Sequence, residues 1–480
     1  MITENILSRY HCPPGIWDEM CDNDQIRDHY RNVYQALQQL EVPDLLKKEK
    51  MAGELFMSQG ITFTVYNENA GIERIFPFDI IPRILTGAEW DRIEQGIKQR
   101  LKALNLFLKD IYSEQQILKD NIIPAQLIAS CPSFTREVFG IKVPYDIYVH
   151  ISGIDLIRGH DGQFYVLEDN LRTPSGVSYM LENRQVTKRI FPDMLSNNLV
   201  RRVNEYPLLL NQILLSLAAQ ISNPRVVLLT PGIFNSAYYE HTFLARQMGI
   251  TLVEGRDLVV DQHKVYMKTT KGLEQVHVIY RRIDDEYLDP LIFNPNSVLG
   301  VPGLLSAYRK GNVAIVNALG NGVADDKAVY AYVPDMIRYY LNEEPILPNV
   351  PTYQLSDPEA RKYVFDNIGN MVVKRTDQSG GYGMIMGNNV SDEEWQRAKK
   401  AIEESPRSFI AQPIIKLSTV PCFIDGCFQP RHVDLRPYAL CGPDGIQIVP
   451  GGLTRVALKE GSLVVNSSQG GGSKDTWIID

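Results

Sequence analysis

The feature that most constrains the fold is an alternation of strand and helix in the middle of the chain. An apolar run at 225–229 leads through a Thr-Pro-Gly turn into a helical pattern at 236–248, and a second apolar run follows at 251–253. Strand, turn, helix and strand in this order form a βαβ unit, which requires a parallel sheet. The sequence therefore predicts an open α/β domain over about residues 222–320.

The spacing of apolar residues divides the rest of the chain into three segments. Residues 1–127 predict mainly helices, most clearly at 90–112, where apolar side chains recur every third or fourth position. Residues 128–221 predict a strand hairpin around 146–168, closed by a His-Asp-Gly turn and followed by helix. Residues 321–480 alternate short strands with one clear helix. With 480 residues, several domains are expected.

Composition excludes some classes of partner. The 49 basic and 57 acidic residues give a formal charge of −8 and no broad basic surface, so we expect no nucleic acid partner. No apolar run approaches the ~18 residues of a membrane span, and the start lacks a signal-peptide pattern, so we expect no membrane partner and a cytoplasmic location. The six cysteines form no C-x-x-C pair, which favours reduced thiols. An oligomer is left open.

The strongest local signal for chemistry is the set Asp155, Glu168 and Asn170 at the ends of the predicted hairpin strands. Two carboxylates and an amide carbonyl that converge on one point suit Mg²⁺ or Mn²⁺. Arg172 follows two residues later and could hold the phosphates that such a metal bridges. The alternative is a polar turn after a strand.

A second signal is Lys374, which ends a short apolar strand before a glycine-rich loop at 378–383. Glycines let backbone N–H groups approach an anion, so the loop could cover a phosphate. The order of Lys and glycines is not that of a P-loop. The alternative is a flexible turn.

Two further elements are weaker. The strand at 409–414 is broken by Pro413, and its amide side chain and free backbone groups could recognise an adenine edge. Asp434 and Arg436 lie two residues apart, hence on one face of a strand. A surface ion pair of little energetic value is the alternative for the second element.

Together these elements resemble the ATP-grasp superfamily. The resemblance implies that Lys327 and Lys374 are its two phosphate-binding lysines and that Asp155, Glu168 and Asn170 are its metal ligands. It implies that Arg172 and Arg436 are catalytic residues that bind phosphate or substrate. The remaining residues that match its ATP-binding loop and hinge are Gln378, Ser379, Gly380, Gly381, Gly383, Gln412, Pro413 and Ile414.

The metal-binding strands precede the lysine and glycine elements, which is the reverse of the usual order and indicates a circular permutation. From about Glu54 onward the chain resembles permuted ATP-grasp proteins related to glutathionylspermidine synthases, including the stretches 167–176, 281–285 and 467–477. The implied fold class is α/β (α+β): a circularly permuted ATP-grasp in residues 128–221 and 321–480, a pre-ATP-grasp α/β domain and a helical N-terminal region. If so, the chain near Trp477 should lie close to the start of the first metal-binding strand.

The resemblance implies a carboxylate–amine ligase that uses ATP and two Mg²⁺ ions, with Mn²⁺ as the alternative. Its partners would be a small-molecule or peptide acid and an amine, such as an amino acid, peptide or polyamine. The charged run of Arg281, Arg282, Asp284 and Asp285 after a predicted strand could bind such a zwitterion, or could be a structural salt-bridge cluster. A phosphotransferase and a non-catalytic ATP-binding module remain the other function classes.

Overall fold

The computed structural model describes residues 7, 10–23, 25–67, 70–377, 383–465 and 471–480. Its N-terminal part contains both helices and strands. These are β1 (Cys21–Asp22), β2 (Gln25–Ile26), α1 (Arg31–Gln38), α2 (Val42–Ser58), β3 (Thr62–Asn67), β4 (Ala70–Ile75), β5 (Phe78–Thr86), α3 (Gly87–Ile111), α4 (Gln116–Lys119) and α5 (Ala125–Ala129).

Helix α3 confirms the helix predicted at 90–112. It begins in a capping box, in which the backbone N–H of Glu89 donates to Thr86 Oγ1 and that of Thr86 donates to Glu89 Oε2. Its apolar stripe is buried. Strand β5, however, joins the central sheet beside the C-terminal strand, so the region predicted as mainly helical also supplies a sheet edge.

The next part carries the predicted hairpin. Its elements are β6 (Ile151–Arg158), β7 (Phe164–Asn170), α6 (Val177–Ile190), α7 (Pro192–Asn197) and α8 (Tyr206–Ser216). Strands β6 and β7 pair antiparallel, as predicted. The predicted strand start near residue 146 is wrong, because Tyr145 and Asp146 have φ angles of 56° and 57° in the left-handed region, which a strand does not allow.

The predicted βαβ unit forms part of a four-stranded parallel sheet of order β14-β13-β8-β9. An antiparallel sheet, β10-β11-β12, is inserted into it and was not predicted. The elements are β8 (Val226–Leu229), α9 (Tyr238–Met248), β9 (Thr251–Val253), β10 (Leu258–Asp261), β11 (Lys264–Thr269), β12 (Gly272–Val276), β13 (Val278–Arg281), α10 (Asp285–Leu288), α11 (Leu304–Arg309) and β14 (Ala314–Val316).

The C-terminal part forms a small antiparallel sheet and completes the central one. The small sheet has the order β15-β18-β16-β17, and its core includes Val364, Trp395 and Ile402 from two helices. The elements are α12 (Lys327–Tyr330), α13 (Val333–Leu341), β15 (Tyr353–Gln354), α14 (Pro358–Asp366), β16 (Met371–Arg375), β17 (Ile385–Met386), α15 (Asp392–Glu404), β18 (Phe409–Pro413), β19 (Thr419–Ile424), β20 (Cys427–Arg436), β21 (Tyr438–Gly442), β22 (Gly445–Ile448), β23 (Leu453–Val456) and β24 (Gly472–Ile479).

Within the described residues, the central sheet has nine strands in the order β22-β21-β6-β20-β23-β24-β5, with β7 paired to β6 and β19 to β20. The successive pairs from β6 through β20 and β23 to β24 are all antiparallel. Strand β24 therefore runs antiparallel to β6. Its C-terminal end lies at the same end of the strands as the N-terminal start of β6. The chain near Trp477 and the start of β6 thus lie at the same end of the sheet, three strands apart.

Two expectations about the whole chain can be compared with the structure. Cys12 and Cys21 form a disulfide, with Cα atoms 6.3 Å apart, so the expectation of reduced thiols is wrong for this pair. Cys131, Cys422 and Cys441 are free and buried. Across the described ranges, every helix is too short or too polar to cross a lipid bilayer.

Candidate functional site

An open cleft with a cavity volume of about 130 Å³ lies between the small antiparallel sheet and the hairpin face of the central sheet. We call it the central cleft. Its polar wall consists of Asp155, Glu168, Lys327, Lys374, Arg375, Gln412, Asp434 and Arg455. Its apolar wall consists of Ile157, Leu167, Val350, Val372, Met384, Met386, Pro413, Ile414, Ile415, Leu417, Leu463, Val464 and Val465. A mostly apolar lining with a few charged groups is typical of a small-molecule site.

Paired strands bring the two carboxylates of the predicted metal set together. Asp155 and Glu168 are Cα partners across β6 and β7, and their side chains are in hydrogen-bonding contact. Asp155 is buried, and Arg436 Nε and Arg455 Nη2 donate to its two oxygens at 2.5 and 2.7 Å. Burial by itself raises the pKa of Asp155, but the two guanidinium groups outweigh it and hold that pKa well below its usual range. Asp155 is therefore ionised at neutral pH.

The donor set fits a hard divalent cation. The neighbouring strand position carries Asn170, whose Cα partner is Gly153, and the Asn170 Nδ2 atom is buried without a hydrogen-bond partner. Two touching carboxyl groups repel each other unless a proton or a cation lies between them. Asp155 also keeps a lone-pair site on Oδ1, because a carboxylate offers about four such sites. Carboxylate and amide oxygens are the ligands that Mg²⁺ and Mn²⁺ prefer.

Both predicted lysines face the same cleft. Lys327 is the first residue of α12, and its Nζ lies 3.5 Å from Glu168 Oε2. Lys374 Nζ donates to Gln412 Oε1 at 2.8 Å. Burial lowers the pKa of Lys374 to about 8, against the opposing effect of Glu168 and with a further lowering by Lys327. The central cleft thus holds two cationic groups next to a carboxylate pair.

The predicted hinge lies in the cleft, but several of its hydrogen-bonding groups already have partners within the protein. The Gln412 side chain accepts from Lys374 and donates to Thr352 Oγ1 at 3.0 Å. The Ile414 N–H donates to the Asn370 carbonyl at 2.8 Å, and Pro413 has no N–H. The backbone N–H of residue 414 is therefore already bonded, and recognition of an adenine edge by this strand stays a prediction.

The apolar end of the cleft is a packed cluster. Ile157, Val350, Leu417 and Val465 are buried against one another. The lining therefore combines charged groups with a packed apolar cluster, which suits a ligand that combines an aromatic ring with anionic groups.

Comparison with known proteins agrees with this geometry. Residues 82–457 match the family model described as circularly permuted ATP-grasp type 2. The chain belongs to the circularly permuted ATP-grasp type 2 family.

Similar proteins occur in several bacteria. The uncharacterized protein sll0335 of Synechocystis is 54% identical over 91% of both chains, and the uncharacterized protein Rv2411c of Mycobacterium tuberculosis is 51% identical over 96% of this chain and 84% of that one. A Frankia casuarinae protein provisionally named glutamate–cysteine ligase 2-2 is 41% identical over 99% of this chain and 55% of its own length. A glutathione synthetase-like effector from Globodera pallida has a similar fold, with a TM-score of 0.59 and 11% identity over 92% of this chain and 98% of that one.

Part of the glycine-rich loop expected of an ATP-grasp protein lies outside the described residues. This applies to Gln378, Ser379, Gly380 and Gly381, and also to residues 466–470 in the C-terminal motif. Gly383 is described, and its φ of 67° lies in the left-handed region that favours glycine.

The two predicted catalytic arginines occupy different places in the ATP-grasp structure. Arg436 is bound to Asp155 and donates from Nη1 to the Ser175 carbonyl at 3.2 Å. Arg172 borders a smaller neighbouring cleft, with a cavity volume of about 20 Å³, and donates from Nε to Asp325 Oδ2 at 2.7 Å. We call this space the second cleft. It is lined by Pro132, Ser133, Glu168, Asp169, Asn170, Arg172, Gly322, Asp325, Asp326, Lys327, Thr376 and Asp377.

The predicted substrate residues of the α/β domain lie mostly in closed networks. Arg281 is fully buried, donates to the carbonyls of Asn317, Ile283 and Ala318, and pairs with Asp285 at 2.6 Å. Its guanidinium is thereby committed to protein groups.

Arg282 is enclosed in the same manner. It donates to the Pro174 carbonyl and to Glu240 Oε1, while Glu240 Oε2 accepts from the N–H groups of Gly176 and Ser178. These contacts favour the structural salt-bridge alternative for both arginines and fix the loop that follows Arg172. Of the four predicted residues, Asp284 is the most open, with 46% of its side chain exposed.

The sequence did not indicate Arg455. This residue is the cross-strand partner of Asp434 between β20 and β23, and it binds both Asp434 and Asp155. No local motif marks it, because its role depends on the pairing of two strands.

Proposed function

We propose that this chain is an ATP-dependent carboxylate–amine ligase that forms an amide bond through an acyl-phosphate intermediate. Its acid would be an amino acid or peptide, and its amine an amino acid, peptide or polyamine. The observation that carries the proposal is the central cleft, where Lys327, Lys374 and the Asp155–Glu168 pair line the same pocket as a set of apolar side chains. A nucleotide has matching parts, an aromatic base and a charged phosphate chain.

The relatives support the reaction class. The Frankia casuarinae protein provisionally named glutamate–cysteine ligase 2-2 matches nearly the whole of this chain at 41% identity. Such a ligase joins a carboxylate to an amine. The likeness to the glutathione synthetase-like effector supports the fold alone.

The reaction would proceed in two displacements. First, an oxygen of the acid's carboxylate attacks the γ-phosphorus of ATP, and the bond to the bridging oxygen breaks, so that ADP leaves with the electron pair. Next, the amine nitrogen attacks the acyl carbon, the carbon–oxygen bond to phosphate breaks, and the nitrogen gives up a proton as phosphate leaves. Positioning and charge compensation supply most of the acceleration in such reactions.

The cleft residues have matching tasks. Lys374 and Lys327 would bind the phosphate chain, and the cluster of Ile157, Val350 and Leu417 would cover the base. Asp155, Glu168 and Asn170 would hold two Mg²⁺ ions, or Mn²⁺, and a bound cation would offset the phosphate charge. Arg436 keeps Asp155 ionised and in place.

The direct test is trapping of the acyl phosphate. The protein is incubated with ATP, Mg²⁺, hydroxylamine and a panel of L-amino acids, and both ADP and amino-acid hydroxamates are measured. We expect both products together, and their loss in Lys374→Ala and Glu168→Ala. Lys362→Ala is the control, since Lys362 is exposed on α14. ADP with a phosphorylated stable product would replace the ligase by a phosphotransferase, and ATP binding without ADP formation would leave a binding module.

A further inference from the structure

The two lysines of the central cleft come from different parts of the fold. Lys374 lies in β16 of the small antiparallel sheet, whereas Lys327 begins α12 outside that sheet. Both can contact one phosphate chain only if these two parts keep a fixed spacing. A backbone hydrogen bond joins them, from the Lys327 N–H to the Thr376 carbonyl at 3.3 Å. Because this length lies beyond the usual range for such a bond, further contacts are needed to hold the spacing.

Arg407 supplies such contacts. It lies in the turn between α15 and β18, and β18 pairs with the strand that carries Lys374. The Nη1 atom of Arg407 donates to Thr376 Oγ1 at 2.9 Å and to Asp326 Oδ1 at 3.2 Å, and Nη2 pairs with Asp326 Oδ2 at 2.9 Å. Thr376 comes two residues after Lys374, and Asp326 directly precedes Lys327. One guanidinium group thus joins the two chain segments that carry the lysines.

Asp326 fixes the start of the helix that carries Lys327. Its carboxylate caps α12, because Oδ1 accepts from the Ala328 N–H at 2.8 Å. The other oxygen, Oδ2, also accepts from the Cys131 thiol at 3.3 Å. Only 3% of the Asp326 side chain is exposed. Because removal of the cation from a buried pair leaves an uncompensated charge, the geometry of this cap depends on Arg407.

Arg407 is also anchored to the end of α5. Its Nε donates to Ser130 Oγ at 3.2 Å, and its Nη2 donates to the Leu127 carbonyl at 3.3 Å. All three guanidinium nitrogens are therefore bound to protein groups. Arg407 borders a groove outside the central cleft, and the described residues that line the central cleft do not include it. Its position thus allows it to act through the two lysines and not on a ligand of the central cleft.

We propose that Arg407 is a positioning residue that holds Lys327 and Lys374 at the spacing at which both bind one phosphate chain. It acts through Asp326 and Thr376 and does not contact the nucleotide. This inference rests on the proposed function for the phosphate-binding role of the lysines, whereas the contacts of Arg407 belong to the fold alone. An arginine with a purely structural role would stabilise the protein without affecting what the two lysines bind.

The first test is a double-variant cycle in the affinity for ATP, measured by titration calorimetry with Mg²⁺. Arg407→Gln should weaken ATP binding by about tenfold in the otherwise wild-type chain, a typical coupling between residues in one network. In a Lys327→Ala background, where the lysine that Arg407 positions is absent, the same change should weaken binding by less than about twofold. Arg201→Gln is the matched control, since the Arg201 side chain is 27% exposed and also pairs with two acids.

A conservative variant covers the case in which Arg407→Gln does not fold. Arg407→Lys keeps a charge beside Asp326, but a lysine is a single point donor and cannot reproduce the planar contacts to Asp326 and Thr376 together. Its affinity for ATP should fall by about threefold or more, while its circular dichroism spectrum stays that of the wild type. The same cycle with Lys327→Ala then applies to this variant.

The second measurement needs no nucleotide. A short amine-reactive cross-linker, followed by peptide mass spectrometry, should link Lys327 to Lys374 in the wild type and do so less in the Arg407 variants. Equal losses of ATP affinity in both backgrounds, or no loss in either, would overturn the positioning role while ATP binding stands. A wild type that does not bind ATP would contradict the proposed function. The cross-link then decides alone, and an unchanged yield in the variants, or no link in the wild type, overturns the positioning role.

Discussion

The charged groups of the central cleft and those at the end of β13 are bound in different ways. At β13, Arg281 and Arg282 are buried and donate to backbone carbonyls and to two acids. In the central cleft, Lys374 Nζ, which carries three N–H donors, donates to one amide oxygen among the described residues. The first region uses its charges to hold loops together, whereas Lys374 in the second has N–H donors that no described residue other than Gln412 accepts. Variants in the two regions should therefore separate stability from activity.

The largest expected effect is a loss of stability when the buried Arg282, which follows β13, is replaced. Arg282→Met leaves Glu240 buried without its cation, and we expect a loss of about 3–5 kcal/mol in the free energy of unfolding. Chemical denaturation followed by circular dichroism measures this loss. The double variant Arg282→Met/Glu240→Gln should recover part of it, because no uncompensated charge remains. Equal stability of Arg282→Met and the wild type would show that this pair is not a structural one.

The next effect is on activity, at the cleft side. Glu168→Gln should reduce ADP formation by about a hundredfold to a thousandfold, a typical cost of removing one electrostatic contact to a reacting group. The same change should shift the free energy of unfolding by less than about 1 kcal/mol, because Glu168 is partly exposed and its cation is 3.5 Å away. The exposed Glu404 on α15 provides the control as Glu404→Gln. A large loss in the free energy of unfolding of Glu168→Gln would instead assign this residue a structural role, like that of Arg281 and Arg282.

Because of Lys374, the affinity for ATP should depend on pH. Burial lowers the pKa of the free Lys374 ammonium group to about 8, and bound phosphates would raise it again. ATP binding should therefore take up a proton above pH 8, and the affinity should fall by up to about tenfold per pH unit until the pKa of the complex is reached. Titration calorimetry in buffers of different ionisation enthalpy measures the affinity and the proton uptake. Lys374→Arg, which stays charged, should lack this decline; a decline of equal size in that variant would assign it to another group.

The sequence predicted those parts of this site that depend on neighbouring residues. Asp155, Glu168 and Asn170 belong to one hairpin, so the pairing of β6 and β7 followed from local pattern. Lys374 was found for the same reason, since it ends a strand before glycines. Such patterns can be recognised in a sequence because the geometry of a single strand fixes which side chains share a face.

The second cleft and Arg455 could not be predicted in this way. Ser133, Arg172 and Gly322 come from three distant segments that meet only in the folded chain. Arg455 reaches Asp155 through the order of strands in the central sheet. The burial of Arg281 and Arg282 could not be predicted either. In the sequence they belong to a charged run, and only the fold encloses them.

The smallest expected effect concerns Asp284, which belongs by sequence to the β13 group but lies near the second cleft. Its side chain is about half exposed and lies 3.9 Å from Arg172 Nη1. An exposed pair at this distance contributes less than about 1 kcal/mol, so Asp284→Asn should leave the free energy of unfolding nearly unchanged. Because the variant also frees Arg172 from a competing carboxylate, the KM for the acid should fall slightly, by less than about threefold. Hydroxamate kinetics measure this change, with Asp335→Asn on α13 as the control for an exposed acid beside an arginine. A marked rise in the acid KM would mean instead that Asp284 itself contacts the substrate, as an ammonium-binding group would. Asp284 would then be a substrate-binding residue, as the sequence predicted.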